Sequence, residues 1–246
     1  MRPPASGQKL LANLKQVQTR ISAACIAAQR DPQEVTLIGA SKTRSADEVL
    51  VLAKSGLTDF GENYLDETEH KIPLTHSLDP ELRLTWHYIG RMQSNKTSSI
   101  AHLFDWVHTL DRLKIAKRLN DQCPAHKKLN VLLQVNISAD PAKGGLNPNT
   151  TLSFLESIQH LPNLRIRGLM TILAQAADAR ASYQSMAQLF TDVRQALNPR
   201  LASSWDTLSM GMTDDLEHAI AAGATHVRIG TALFGERGKF GAREQL

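Results

Sequence analysis

The sequence predicts a single closed (β/α)8 barrel of the TIM type with an extra N-terminal helix. Three observations carry that expectation. Eight short apolar runs alternate with helical patterns, no GxGxxG follows the first run, and the 246 residues match the roughly 250 that such a barrel takes. The runs lie at residues 35–40, 57–60, 85–89, 106–110, 131–136, 166–172, 207–210 and 226–229. Each is short and apolar, as a buried parallel strand is.

Ahead of the first run, Leu10, Leu11, Leu14, Val17, Ile21 and Ile26 recur near helical spacing and predict the extra helix. Between runs the pattern turns helical at 46–54, 64–71, 113–122, 150–159, 179–197 and 214–222. Parallel neighbours need a crossover, and a helix supplies it. A doubly wound sheet, the competing architecture, usually has fewer strands and a glycine fingerprint. Ser45 with Glu48 three residues on, and Thr213 with Asp214 and Asp215 behind it, read as helix starts. Gly56 and Gly223 stand where helices should end. No linker rich in Pro, Gly or Ser divides residues 1–246, so they read as one domain; the segment 140–148 is the most flexible in composition.

Composition narrows the function classes. With 42% hydrophobic and 21% charged residues the chain can bury a substantial core. The net charge is +4 and the basic residues are dispersed, so the clustering of a nucleic-acid surface is missing. Cys25 and Cys123 lie far apart, with no CxxC and no His at zinc-finger spacing, and read as buried thiols. No stretch approaches membrane-spanning length and the first residues carry no apolar signal core. The expectation is a cytoplasmic monomer that binds neither nucleic acid nor membrane.

In such a barrel the chemistry sits where strands run into the loops that follow them. Lys42, two residues past the first run, is the leading candidate: a lysine beside a buried strand loses charge by desolvation and becomes a nucleophilic amine. The alternative is a solvated loop lysine. Ser41-Lys42-Thr43 imitates the end of a phosphate loop, but Ser41 stands where that motif needs glycine.

The loops after runs seven and eight, 208–213 and 227–231, are the usual phosphate site of this fold. Gly211 and Gly230 permit close backbone approach, and Ser209 and Thr231 offer hydroxyl donors. Any one of these glycines could instead merely turn the chain. Arg228 stands beside that site; a guanidinium facing a pyridine nitrogen keeps it unprotonated, whereas pairing with Asp214 is the plainer role. Asn63, His87 and Asn136 are expected at the barrel mouth, with a structural role for His87 equally open, and Asp111 and Ser94 are read as caps.

These segments together resemble the pyridoxal phosphate homeostasis proteins, whose barrel is similar to the N-terminal domain of alanine racemase. The resemblance runs from 35 to 235 and is carried by ASKT, GENY, WHYIGRMQSNK, GLMTI and, most specifically, LSMGMTDDLEHAIAAGATHVRIGTALFG. It implies a pyridoxal 5′-phosphate site in which Lys42 forms the Schiff base, Ser209, Gly230 and Thr231 contact the phosphate and Arg228 faces the ring nitrogen, and Asn63, expected at the mouth, joins it as a cofactor-binding candidate. It also implies a homeostasis role: a non-catalytic carrier that delivers the cofactor to PLP-dependent apoenzymes. Against alanine racemase, this sequence is expected to lack the C-terminal β domain with its second catalytic base. A PLP-dependent amino-acid racemase is the enzyme alternative and needs a tyrosine or second lysine opposite Lys42; Tyr64 and Tyr88 are the tyrosines near strand ends. A class I aldolase, which makes its own Schiff base on lysine, is a further alternative.

Overall fold

A computed structural model describes residues 5–175 and 177–236, with only the backbone of Ala5 and Ser6. Eight parallel strands, β1 (Thr36–Ala40), β2 (Asp59–Glu62), β3 (Thr85–Tyr88), β4 (Trp106–Leu110), β5 (Leu129–Gln134), β6 (Leu164–Met170), β7 (Thr207–Ser209) and β8 (His226–Ile229), close in sequence order. The seam is β8 on β1, from Thr36 beside His226 to Gly39 beside Ile229. All eight predicted runs are strands, and the barrel is the predicted one.

Around it lie α1 (Ala5–Ala27), α2 (Ala46–Ala53), α3 (Leu65–Leu78), α4 (Thr97–Leu103), α5 (Leu113–Gln122), α6 (Thr151–Ile158), α7 (Ala179–Ala196), α8 (Pro199–Ala202), α9 (Leu216–Ala221) and α10 (Thr231–Phe234). The sequence pattern missed α4, because TSSIAHL offers little apolar periodicity and only Thr97, Ile100 and Ala101 of it are buried. It also stopped α3 at residue 71, whereas the helix runs through Pro73. Ser45 and Glu48 form the reciprocal capping box that the spacing predicts. Thr213 is not a cap: α9 starts later, at Leu216, and Thr213 Oγ1 accepts from Ala232 N–H at 3.4 Å. Neither Asp111, which bonds Arg112, nor Ser94 caps a helix by its side chain.

The extra helix is a structural part of the barrel wall. Leu10, Leu14, Val17, Ile21 and Cys25 of α1 are buried in the main core, each apolar side chain contributing about 1.5–3 kcal/mol. Polar ties fix its register: Arg20 grips Glu217 through two nitrogens and donates to Thr213 O, and Arg30 donates to Ile220 O and Ala224 O. Ile26, part of the predicted stripe, is exposed.

Most buried apolar side chains of the described residues fall into two clusters. The large one fills the space between strands and helices, while the small one is Trp106, Leu132 and Met170 with Ile172 against it. Polar side chains share the lumen with these. His108 on β4 reaches Ser209 on β7, strands that are not neighbours, so this bond crosses the barrel interior. Arg167 closes the end where strands begin, pairing with Asp206, donating to Asn130 and stacking over Trp106 at 4.8 Å. Among the described residues, no helix is long and apolar enough to cross a membrane. Cys25 and Cys123 are buried and unpaired, and burial pushes both thiols above their ordinary value.

Candidate functional site

Where the strands end, a cavity of about 410 Å³ opens. Strand β1 delivers Lys42 to it, the loop after β2 delivers Asn63, and the loops after β7 and β8 deliver Thr213, Asp214, Gly230 and Thr231. Arg228 enters from β8. Five of the six sequence-predicted site residues therefore share one cavity.

The sixth does not. Ser209 is fully buried behind Arg228, whose Nη1 donates to its Oγ at 2.6 Å, and it is absent from the cavity lining. Strand alternation accounts for this placement: Ser209 points into the lumen below the mouth, and the following loop brings Thr213 to the cavity. Thr213 precedes Asp214 on that loop, and sequence reasoning assigned it to capping. His87 also lies in the lumen, between Asp59 and His108, and Asn136 braces its own loop through Asp140 and Lys143, so neither lines the cavity.

Lys42 sits on a braced turn. Ser41 N–H donates to Gly61 O and its hydroxyl to Glu62, while Lys71 Nζ donates to the Ser41 carbonyl at 2.8 Å. On the other side Thr43 adopts a left-handed φ of 63° and donates its N–H to Glu67 Oε2. Burial pushes the Glu62 carboxyl up in spite of the Lys71 ammonium beside it. Arg44, next along, spends its charge on Glu48 and on Gly235 O.

Arg228 is buried and has no carboxylate at ion-pair distance among the described residues; Ser209 Oγ and Thr171 O accept from it. Burial draws its pKa below the ordinary guanidinium value, with Tyr183 and Asp215 pulling the other way. The pairing with Asp214 considered from sequence does not occur. Instead Asp215 accepts from Tyr183 O–H at 2.8 Å and from Met212 N–H, holding the β7 loop. A buried cation left without a counterion is costly unless it serves a ligand.

The lining has the properties of a pocket for a planar anion. Four cationic side chains, Lys42, Arg44, Lys143 and Arg228, face one carboxylate, Asp214, among the lining residues. Ala40, Ile89, Ile172 and Met212 supply apolar wall. Asn63 Oδ1 is buried without a partner among the described residues, an acceptor left for a ligand donor. A groove of about 500 Å³ at the opposite end is lined by Lys128, His160, Arg165 and Arg200, all exposed, and brings no comparable buried group to it.

The family described as alanine racemase, N-terminal domain, matches residues 7–238. A pyridoxal phosphate homeostasis protein of Pseudomonas aeruginosa is 48% identical over 229 residues, covering 92% of this chain and 94% of that one. The chain belongs to the family of pyridoxal phosphate homeostasis proteins. PipY of Synechococcus elongatus PCC7942, solved with PLP bound, is 31% identical with a TM-score of 0.75 and covers 87% of this chain and 100% of its own. An alanine racemase of Clostridium difficile 630 shares the fold at 13% identity and a TM-score of 0.69, with 94% of this chain matched to 57% of that one. Membership accounts for the order of motifs along the barrel.

Proposed function

We propose that the protein binds pyridoxal 5′-phosphate in the mouth cavity, holds it reversibly as a Schiff base on Lys42, and passes it to PLP-dependent apoenzymes in the cytoplasm. In this reading residues 1–246 are a single cofactor-binding domain that works as a monomer and a non-catalytic carrier. The observation that carries it is the meeting, in one cavity, of the Lys42 amine, the buried Arg228 and both loops that follow β7 and β8. The names of the relatives and the PLP in PipY support the cofactor's identity.

The residues present fit the group. When bound, the cofactor supplies an aldehyde for an amine to capture and an aromatic ring that can delocalise negative charge. Lys42 is the amine. Thr213 and Thr231 each keep a hydroxyl hydrogen with no acceptor among the described residues, and Gly230 lets the backbone come close, so these three take the phosphate. Arg228 faces the ring nitrogen and opposes its protonation. Carbanion chemistry is thereby disfavoured, and neither Tyr64, which is exposed, nor Tyr88, which bonds Arg91 O, lines the cavity.

One observation favours a second reading, a PLP-dependent amino-acid racemase: Lys143 lines the cavity and offers a second amine. Two experiments separate the readings. Borohydride reduction of the protein mixed with the cofactor should fix the cofactor's mass on the Lys42 peptide; a label on the Lys143 peptide overturns the assignment. Loaded protein should then restore an apoenzyme while leaving a panel of L-amino acids unchanged. Turnover of those amino acids that is lost in Lys42→Ala overturns the carrier reading in favour of the racemase.

A further inference from the structure

Beneath the cavity, a file of hydrogen-bonded side chains runs down the lumen. Arg228 Nη1 lies 2.6 Å from Ser209 Oγ, which lies 3.0 Å from His108 Nδ1. His108 Nε2 lies 2.9 Å from His87 Nδ1, and His87 Nε2 lies 2.9 Å from Asp59 Oδ1. Five residues from five strands thus connect the cavity floor with the far end of the barrel.

The role of each atom follows from the two ends. A guanidinium has no acceptor, so Arg228 donates to Ser209. A carboxylate only accepts, so His87 donates from Nε2, and hydrogen bonds from His87 and Thr58 outweigh burial to hold the Asp59 carboxyl below its ordinary range. A neutral His87 then accepts at Nδ1, which makes His108 Nε2 the donor and His108 Nδ1 the acceptor. The Ser209 hydroxyl donates to that last nitrogen. Every link has one hydrogen, none is missing, and all four point the same way.

The surroundings disfavour a charge on His108. Trp106 stacks on His87 at 5.7 Å, the His226 ring lies 6.2 Å from His87 and 6.4 Å from His108, and Arg228 bears on His108. Burial pulls His108 well below the usual histidine range and His226 down to about 3. A proton added to His87 would turn the His108 link around and give Ser209 Oγ two donors.

We propose that Ser209, His108, His87 and Asp59 are positioning residues that lock the Arg228 guanidinium beneath the ligand, so that a carboxylate at the far end of the barrel sets how firmly the cavity holds a heteroaromatic ring. The proposal rests on the carrier reading only for the ring's identity. A chain of bonds aligned in one direction polarises each member toward the next, so loss at one end is felt at the other. Asp206 provides the comparison: it is a carboxylate at the same end, engaged by Arg167 and off the chain.

Nitrogen-15 spectra of the protein without ligand should find His87 and His108 both neutral and protonated at Nε2, with Arg228 side-chain N–H signals slowed by restricted rotation. Asp59→Asn should mix the histidine tautomers, release the Arg228 signals and weaken pyridoxal 5′-phosphate binding several-fold; Ser209→Ala should weaken it about tenfold or more. Asp206→Asn should change none of these, and Asp59→Glu should restore part of the affinity. A His108 protonated at Nδ1 in the wild type, or equal effects of Asp59→Asn and Asp206→Asn, overturns the proposal. If the wild type binds no pyridoxal 5′-phosphate, the carrier reading fails, while the histidine and Arg228 signals still decide whether the lock exists.

Discussion

Lys71 Nζ donates to the Ser41 carbonyl at 2.8 Å, which places a buried ammonium against the peptide that precedes Lys42. The same ammonium pairs with Glu62 and Glu67, and these carboxylates accept in turn from Ser41 Oγ and Thr43 N–H. The residues on both sides of Lys42 are therefore fixed by one buried ionic cluster.

Removing one partner of such a cluster strands the other. Lys71→Met should cost on the order of 3–5 kcal/mol in urea unfolding, because Glu62 is fully buried and loses its cation. Capture of pyridoxal 5′-phosphate by Lys42 should slow as well. Lys71→Met combined with Glu62→Gln should regain part of the stability, since the stranded charge leaves too, but not the capture rate, since the Ser41 brace is still gone. Equal stability of the single and double variants would show that the pair is not the stabilising unit.

The displacement of Ser209 from the cavity yields a second expectation. Thr213→Ala and Thr231→Ala should each weaken pyridoxal 5′-phosphate by about 1.5–3 kcal/mol, the worth of a hydrogen bond to a charged group. Pyridoxal without phosphate should bind both variants as it binds the wild type. Calorimetric titration with the two ligands checks this, and parallel losses for both ligands would remove Thr213 and Thr231 from the phosphate site.

The barrel was legible because parallel strands buried on both faces leave unbroken apolar runs that survive without any alignment. Lys42, Arg228 and Thr231 were legible for a related reason: a polar residue ending such a run is aimed at the mouth by the fold. Ser209 also ends a run, yet a shift of one or two positions along a strand decides between lumen and mouth, and sequence spacing does not resolve that step. The Lys71 cluster left no local signal, since Lys71 looks like any helical lysine until α3 is laid against the loop after β1. The file of histidines was hidden similarly: His87, His108 and Asp59 belong to three strands, and only closure of the barrel makes them neighbours.

Acid should destabilise the fold well above the carboxylate range. His226 has its pKa drawn down to about 3 by burial, so between the ordinary histidine value near 6.5 and about 3 the unfolded chain binds a proton that the folded chain does not. Stability is fully present above about pH 6.5 and falls as the pH drops toward the folded value. His108 is shifted in the same direction and adds to the slope. Urea midpoints at pH 7.5 and 5 should differ by the equivalent of about 1–2 kcal/mol for His226, and His226→Phe should flatten that part of the profile. An unchanged slope in the variant would mean that this ring is charged, or accessible to protons, in the folded state.

Thr43 should show a trade between stability and capture. Its φ of 63° is left-handed, a conformation that costs a β-branched residue about 1–2 kcal/mol and that glycine adopts freely. Glycine also has more unfolded-state freedom to lose, worth about 0.4–1 kcal/mol, so Thr43→Gly should raise stability by no more than about 1.6 kcal/mol. The N–H to Glu67 survives that change, but the turn can now sample conformations that a threonine excludes, and Lys42 loses some of its fixed aim. Formation of the Lys42 adduct should therefore slow even though the protein is no less stable. Thr43→Pro, which removes the N–H and forces a negative φ, should impair both. Stopped-flow absorbance after mixing with pyridoxal 5′-phosphate, set beside urea midpoints for the same variants, reads the two effects separately; Thr43→Gly that captures the cofactor at the wild-type rate would show that the strained turn does not aim the lysine.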